Sequence, residues 1–216
     1  MAKTVYSLVL DDEVMKLVDK AARRGGLSRS AYINQALAEN VGYETALEKN
    51  ADLFRCVEDL LARHDNLHFF TASSSAATVT GSISYRYKPT MKYLVEIYPY
   101  EHEYLGELKV SSRTGNEFVR RAIDEFFRLW AALERRYVSE NIPCAIEENR
   151  MRRVFLRPRA EIGPTALASA IAHYIGAFDA LINEYFVNLD SDGFSVKEIE
   201  YAFRTEFYGK PIIYRR

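Results

Sequence analysis

Residues 4–42 read TVYSLVLDDEVMKLVDKAARRGGLSRSAYINQALAENVG, and this stretch predicts one short strand followed by two short helices. Residues 4–10 contain β-branched and aromatic side chains, which favour a strand. Asp11 and Asp12 follow, and a carboxylate at this position can cap the start of a helix. The first helix should therefore begin at these two residues.

Two apolar patterns with a helical period lie on either side of a glycine pair. The apolar face of the first helix is predicted to consist of Val14, Leu17, Val18, Ala21 and Ala22. Gly25-Gly26 ends this helix, and Ser28 can cap the next one. The inward face of the second helix is predicted to consist of Ile33, Ala36, Leu37 and Val41, with Gly42 at its end.

So small a unit cannot bury a hydrophobic core on its own. Below about 40 residues, a folded unit usually needs disulfides, a metal or oligomerisation. The two cysteines of the chain, Cys56 and Cys144, are isolated and lack metal-ligand spacing, which predicts reduced thiols. We therefore expect two copies to pair their strands as an antiparallel ribbon and to interlock their helices as an obligate dimer.

Two motifs carry a resemblance to a known family. The first is Leu8-Val9-Leu10-Asp11 leading into Val14 and Leu17, and the second is Gly26-Leu27-Ser28-Arg29-Ser30 leading into Ile33, Ala36 and Leu37. In order and spacing they resemble the ribbon-helix-helix repressors, the group that includes Arc and MetJ. The resemblance covers about a fifth of the chain. It implies that a two-stranded ribbon enters the major groove of DNA.

Alternation along the strand assigns the side chains of that ribbon. The side chains predicted to face the helices are Tyr6, Leu8 and Leu10. Those predicted to face the DNA are Lys3, Val5, Ser7 and Val9. Of the second set, Lys3 and Ser7 can donate hydrogen bonds to base edges, whereas the two valines can only contact thymine methyl groups. The family usually has polar or basic residues here, so base discrimination is expected to be weak or to come from elsewhere.

The start of the second helix is a predicted phosphate contact. Its free N–H groups and its dipole at Ser28, Arg29 and Ser30 can bind a phosphate group. The alternative is a helical dimerisation unit that binds no DNA. Residues 1–42 carry six basic and five acidic residues, and the remaining chain carries 23 basic and 25 acidic residues. Any affinity for DNA must therefore come from the local placement of charges.

The remaining chain predicts an α+β fold in which an antiparallel sheet is packed by long helices. We expect a ribbon-helix-helix DNA-binding and dimerisation module over 1–42, a connecting helix over 43–64, and an effector-sensing or oligomerisation domain over 65–216. Strands are predicted at 67–71, 77–88, 92–98, 106–111 and 151–156, with a terminal strand at 211–214. Helices are predicted at 116–138, 165–187 and 195–208.

Two segments of the larger domain are candidate contacts for an anion or an effector. Arg113 and Thr114 lie between a predicted strand and helix, where backbone N–H groups can bind an anion, although a capped turn explains them as well. The other candidates are Arg150, Arg152, Arg153 and Arg157, with Arg159 beyond them. The alternative for these arginines is a solvated edge strand, where charge prevents aggregation.

Neither a cofactor nor a metal is expected. His64 and His68 are four residues apart but straddle a predicted helix end, and residues 188–193 match an EF-hand loop only in part. No nucleophile, base and orienting group stand at an interpretable spacing, so we do not expect an enzyme. The sequence shows no signal-peptide pattern and no uncharged apolar stretch of about 18 residues. We therefore expect a cytoplasmic protein without a membrane partner.

These patterns together predict a dimeric DNA-binding transcription regulator, most simply a repressor that occupies operator DNA. The larger domain would then bind a small-molecule or protein effector, or assemble higher oligomers. Two alternatives stay open. The first is an accessory DNA-binding protein of a plasmid or mobile element, acting in partition, copy control or transfer. The second is the antitoxin of a toxin–antitoxin pair.

Overall fold

A computed structural model describes residues 5–43, 46–73, 75–86, 88–98, 102–158, 162–189, 195–208 and 213. The chain forms two compact units, Met1–Lys49 and Asn50–Arg216. The first unit contains the two predicted helices, α1 (Asp12–Arg24) and α2 (Arg29–Asn40), which pack against each other.

The predicted strand is missing from the single chain, because residues 5–10 form no regular secondary structure. A strand needs a neighbour that satisfies its backbone N–H and C=O groups. The described part of the first unit contains no second strand that could do so. Forming the predicted ribbon would take a partner strand from outside this chain.

The second unit is built on a six-stranded antiparallel sheet, and this confirms the prediction of an α+β fold. The strands are β1 (His68–Ser73), β2 (Ala76–Ser82), β3 (Thr90–Ile97), β4 (Tyr104–Arg113), β5 (Cys144–Glu147) and β6 (Arg150–Leu156). Their order in the sheet is β1-β2-β3-β4-β6-β5. The helices are α3 (Ala46–Leu61), which begins in the first unit, α4 (Glu117–Tyr137), α5 (Pro164–Asn188) and α6 (Val196–Phe207).

The strands depart from the sequence prediction in two places. β2 ends at Ser82 instead of residue 88, and β5 was not predicted because it is only four residues long. β5 pairs with β6 across a two-residue turn in which Asn149 has a φ of 54°, a left-handed conformation that asparagine tolerates. β6 therefore lies between β4 and β5, and the edge-strand interpretation of its arginines is wrong. The predicted terminal strand lies outside the described residues except for Ile213, which is buried.

One face of the sheet shares a single hydrophobic core with helices α3 to α6. Trp130 is fully buried in this core, and its ring packs at centroid distances of 4.6 Å from Phe178 and 5.1 Å from Phe203. Its Nε1 donates a hydrogen bond to the Tyr174 hydroxyl at 2.7 Å. The opposite face of the sheet, which we call the open face, carries the exposed side chains of Lys92 and Arg150, whereas Glu107 and Val154 on the same face are buried.

Helix α5 is long and apolar enough, by length and composition alone, to cross a membrane. In this structure 67% of its apolar window is buried inside the unit. A buried core helix of a soluble protein can have the same length and apolar composition. In this structure α5 packs in the shared core of the second unit.

Candidate nucleic-acid interface

The first helix of the N-terminal unit begins and ends as its sequence predicts. Asp11 has an extended backbone, and its Oδ1 accepts a hydrogen bond from the Glu13 N–H at 2.8 Å, which confirms the predicted cap. The chain leaves α1 at Gly26, whose φ of +66° favours glycine. This turn brings α2 back against α1.

Helix α2 begins at the predicted phosphate contact. The Ser28 Oγ accepts the Ala31 N–H at 3.2 Å, so this hydroxyl already caps the helix. Arg29 forms a two-pronged ion pair with Asp19 on α1, with its Nε 2.6 Å from Oδ1 and its Nη2 2.7 Å from Oδ2. The Arg29 hydrogen bond lowers the pKa of Asp19, and the same bond raises the pKa of Arg29. A guanidinium has five N–H donors, so three remain for a phosphate.

The segment predicted to form the ribbon is exposed, and its exposure alternates. Val5 and Val9 are 95% and 102% exposed, whereas Leu8 and Leu10 are 65% and 42% exposed. Ser7, the predicted hydrogen-bond donor to bases, is also exposed. Lys3 lies outside the described residues.

The first unit has almost no core of its own. Among its described residues, only Ala22 and Ala38 are buried. Large apolar side chains are exposed along the predicted ribbon and on both helices: Val5, Tyr6, Leu8, Val9, Leu10, Val14, Leu17, Leu37, Val41 and Tyr43. Folded domains rarely leave so many large apolar side chains exposed in so short a segment, and exposed apolar surface of this kind marks an interaction site.

Residues 7–44 match the family model of the ribbon-helix-helix protein, copG family. This stretch is a ribbon-helix-helix segment. Proteins of this family are typically DNA-binding transcription regulators or antitoxins, generally act as dimers, and are generally not enzymes. No match was found among curated proteins or among solved structures.

The candidate anion contacts of the second unit lie in different surroundings. Arg113 is exposed at the end of β4, while the Thr114 Oγ1 accepts the Asn116 N–H at 3.2 Å in a capped turn that starts α4. Arg150 and Arg152 are exposed on the open face of the sheet. Arg157 donates from Nε to the His102 carbonyl at 2.6 Å. Arg159 lies outside the described residues.

Arg153 is fully buried, so its prediction as a surface anion contact is wrong. Its Nε and Nη2 lie 3.1 and 3.0 Å from Oε1 of the buried Glu134 on α4, and its Nη1 donates to the Ile213 carbonyl at 2.6 Å. Burial opposes the charge of Arg153, but the Glu134 carboxylate holds its pKa above the ordinary value. The apolar residues Met151 and Phe155, two positions to either side, are the sequence signal that this face of β6 is buried.

A second buried carboxylate, Asp179 on α5, was also missed by the sequence reading. Its Oδ1 accepts from the Tyr93 hydroxyl at 2.8 Å, and its Oδ2 accepts from the Asn66 Nδ2 at 2.9 Å. Burial raises the pKa of Asp179. A Cβ on Gly81 would come within 2.6 Å of Oδ1, so a glycine lets the carboxylate approach β2. This cluster links three distant parts of the chain.

The described residues contain no group of three His, Cys, Asp or Glu side chains that could hold a metal ion. His64 lies in the turn after α3, and His68 begins β1, so their spacing does not put them on one helix face. Of the residues 188–193 compared with an EF-hand loop, Asn188 is the last residue of α5, and residues 190–193 lie outside the described part of the chain.

Proposed function

We propose that the protein is a dimeric DNA-binding transcription regulator, most simply a repressor, that inserts a ribbon built from two copies into the major groove. The observation that carries this proposal is the apolar surface of the first unit, which buries only Ala22 and Ala38 among its described residues. Pairing two copies would cover the inward-facing Leu8 and Leu10 and would give each N-terminal strand a neighbour.

The exposure of the ribbon segment supports the assignment of its two faces. Leu8 and Leu10 are partly covered by their own unit, whereas Val5 and Val9 are almost fully exposed. Ser7 lies on the outward side by alternation. The start of α2 adds a phosphate contact from backbone N–H groups and from the remaining donors of Arg29.

Dimerisation is tested by a matched pair of substitutions in neighbouring residues of the full chain. Leu10→Asp puts a carboxylate on the inward face, and Val9→Asp puts one on the outward face. Burying one leucine contributes about 1.5–3 kcal/mol and the interface contains two, so we expect Leu10→Asp to weaken the dimer roughly 100-fold or more in sedimentation equilibrium. Val9→Asp should remain a dimer. If the wild-type chain and both variants all sediment as monomers, the proposed dimer is refuted.

DNA binding is tested by selecting sites from random duplexes and measuring affinity by fluorescence anisotropy at several salt concentrations. Ser7→Ala should reduce the preference for the selected site over random DNA. Arg29→Gln should lower the affinity for the selected site and for random DNA alike. It should reduce the salt slope by about 1.8, because the dimer loses one phosphate contact from each of its two chains. A stable dimer that binds no duplex would contradict the proposal and favour the dimerisation unit.

The form of the selected site separates the two DNA-binding roles. A palindrome near the protein's own gene supports repression, whereas clustered repeats would favour an accessory protein of a plasmid or mobile element. The antitoxin alternative fits less well, because the second unit is folded around its own core and antitoxins usually neutralise through a disordered tail. Recovery of a small toxic partner in purification would reverse this preference.

A further inference from the structure

The open face of the sheet in the second unit has two halves that differ in charge pairing. In one half, Glu96, Glu107, Lys109 and Arg152 form a network. The Lys109 Nζ lies 2.8 Å from Glu96 Oε2 and 2.7 Å from Glu107 Oε1, and the Arg152 Nε lies 3.5 Å from Glu107 Oε2. The charges of this paired half are satisfied within the sheet.

The other half of the same face carries three exposed cations, Lys92, Arg113 and Arg150, which we call the basic corner. Lys92 and Arg150 both lie opposite Ser111, and Arg113 follows two residues later on the same strand. Within the described part of the chain, none of the three forms a side-chain hydrogen bond or an ion pair. Glu147 lies directly opposite Arg150 on β5, but the two side chains do not form an ion pair.

The spacing of the basic corner fits an extended anion better than a small one. Neighbouring strands lie about 4.8 Å apart, so the backbones at Lys92 and Arg150 are roughly 10 Å apart, and Arg113 is about 7 Å along β4 from Ser111. A small anionic effector would need donors that converge in a cavity. A DNA strand carries a phosphate about every 3.4 Å along its axis, so cations at this spacing can follow its backbone.

We propose that the basic corner binds the phosphodiester backbone of DNA and adds a sequence-independent contact to that of the ribbon-helix-helix segment. This inference rests on the proposed function, because it takes DNA as the ligand. Charge complementarity carries it: these three cations stay unpaired beside a half-face whose charges are paired. The hydroxyls of Thr80 and Ser111 lie in the same register row and can donate to phosphate oxygens.

The test uses the full chain, a mixed-sequence duplex and fluorescence anisotropy between about 50 and 200 mM salt. If all three cations of both chains contact phosphates, Lys92→Gln/Arg113→Gln/Arg150→Gln lowers the salt slope by about 5.4. The loss of affinity over this salt range then becomes roughly 2,000-fold smaller. The matched pair is Arg150→Gln and Arg152→Gln, two residues apart on one face. Arg150→Gln should lower the slope by about 1.8, one contact from each chain of the dimer, whereas Arg152→Gln should leave it unchanged. Glu147→Gln should tighten binding.

The outcomes separate the two proposals. If the wild-type chain binds no duplex, the proposed function fails and this inference fails with it. If it binds and the triple variant keeps the wild-type slope, or Arg150→Gln and Arg152→Gln have equal effects, only this inference is overturned. If the triple variant keeps the wild-type salt slope but has a different sedimentation coefficient, the basic corner contacts an acidic protein surface instead of DNA. This result would also overturn the inference. Unchanged Trp130 fluorescence verifies that each variant is folded.

Discussion

Removing one partner of the buried Arg153–Glu134 ion pair should strongly destabilise the second unit. Both side chains are essentially inaccessible to solvent, with exposed fractions of 0% and 2%. Arg153→Met keeps the length and apolar stem of the side chain but leaves the Glu134 carboxylate in the core without its cation. That carboxylate must then remain charged in a poor solvent or take up a proton.

The expected loss follows from the partners that Arg153 has. Breaking a buried ion pair on one side costs about 3–5 kcal/mol in free energy of unfolding. The hydrogen bond from Nη1 to the Ile213 carbonyl adds about 1 kcal/mol. Replacing both partners, as in Arg153→Met/Glu134→Leu, removes the unpaired charge. The double variant should therefore lose only about 0–2 kcal/mol, far less than the sum of the two single variants.

Urea unfolding followed by tryptophan fluorescence measures this unit alone. Trp130 is the single tryptophan of the chain and is fully buried in the core of the second unit, so its signal does not report on the first. Arg152→Met is the control, because Arg152 is exposed and makes only a long contact with Glu107, and it should change stability by about 1 kcal/mol at most. A loss below about 1 kcal/mol for Arg153→Met, or an additive double variant, would refute the reasoning.

Three further measurements test other features of the structure. Gly26→Ala forces a side chain into a left-handed turn and should destabilise α1 and α2 by about 1 kcal/mol in amide hydrogen exchange. The neighbouring Gly25→Ala, at a φ of −83° and with only ordinary contacts for a Cβ, should not. Burial raises the pKa of Cys144 to about 11, so its alkylation at pH 8, followed by mass spectrometry, should be much slower in the folded chain than in urea. Burial also raises the pKa of Asp179, so near this pKa the folded state binds more protons than the unfolded state. The free energy of unfolding should therefore fall as the pH rises above the ordinary Asp pKa of 3.8. In urea titrations at several pH values, Asp179→Asn should make this fall smaller.

Local signals in the sequence predicted the helices well. Asp11, Ser28, Asn116 and Ser195 each accept a hydrogen bond from a backbone N–H in the first turn of the following helix. A helix cap depends only on residues within three positions of each other, so it can be predicted from the local sequence alone. The apolar periodicity that predicted α4 is also a property of the local sequence.

The misassigned side chains depend on contacts between distant residues. Alternation along a strand puts Arg153 on the opposite side of β6 from Arg150 and Arg152, as in the structure, but it cannot tell which side meets α4. The Asp179 cluster joins residues 66, 93 and 179, and no local pattern predicts such a meeting. The predicted strand at residues 4–10 depends on a neighbour that the single chain does not supply.

The two units differ in what their folding requires. The second buries Trp130 and a continuous core within one chain, whereas the described part of the first buries only two alanines. In the proposed dimer, strand pairing, burial of Leu8 and Leu10, and assembly of the DNA-binding surface form one coupled event. Below the dimer dissociation constant, DNA occupancy should therefore rise with the square of the protein concentration. Any ligand that draws two second units together would raise DNA affinity without touching the DNA, because it raises the effective concentration of the first units.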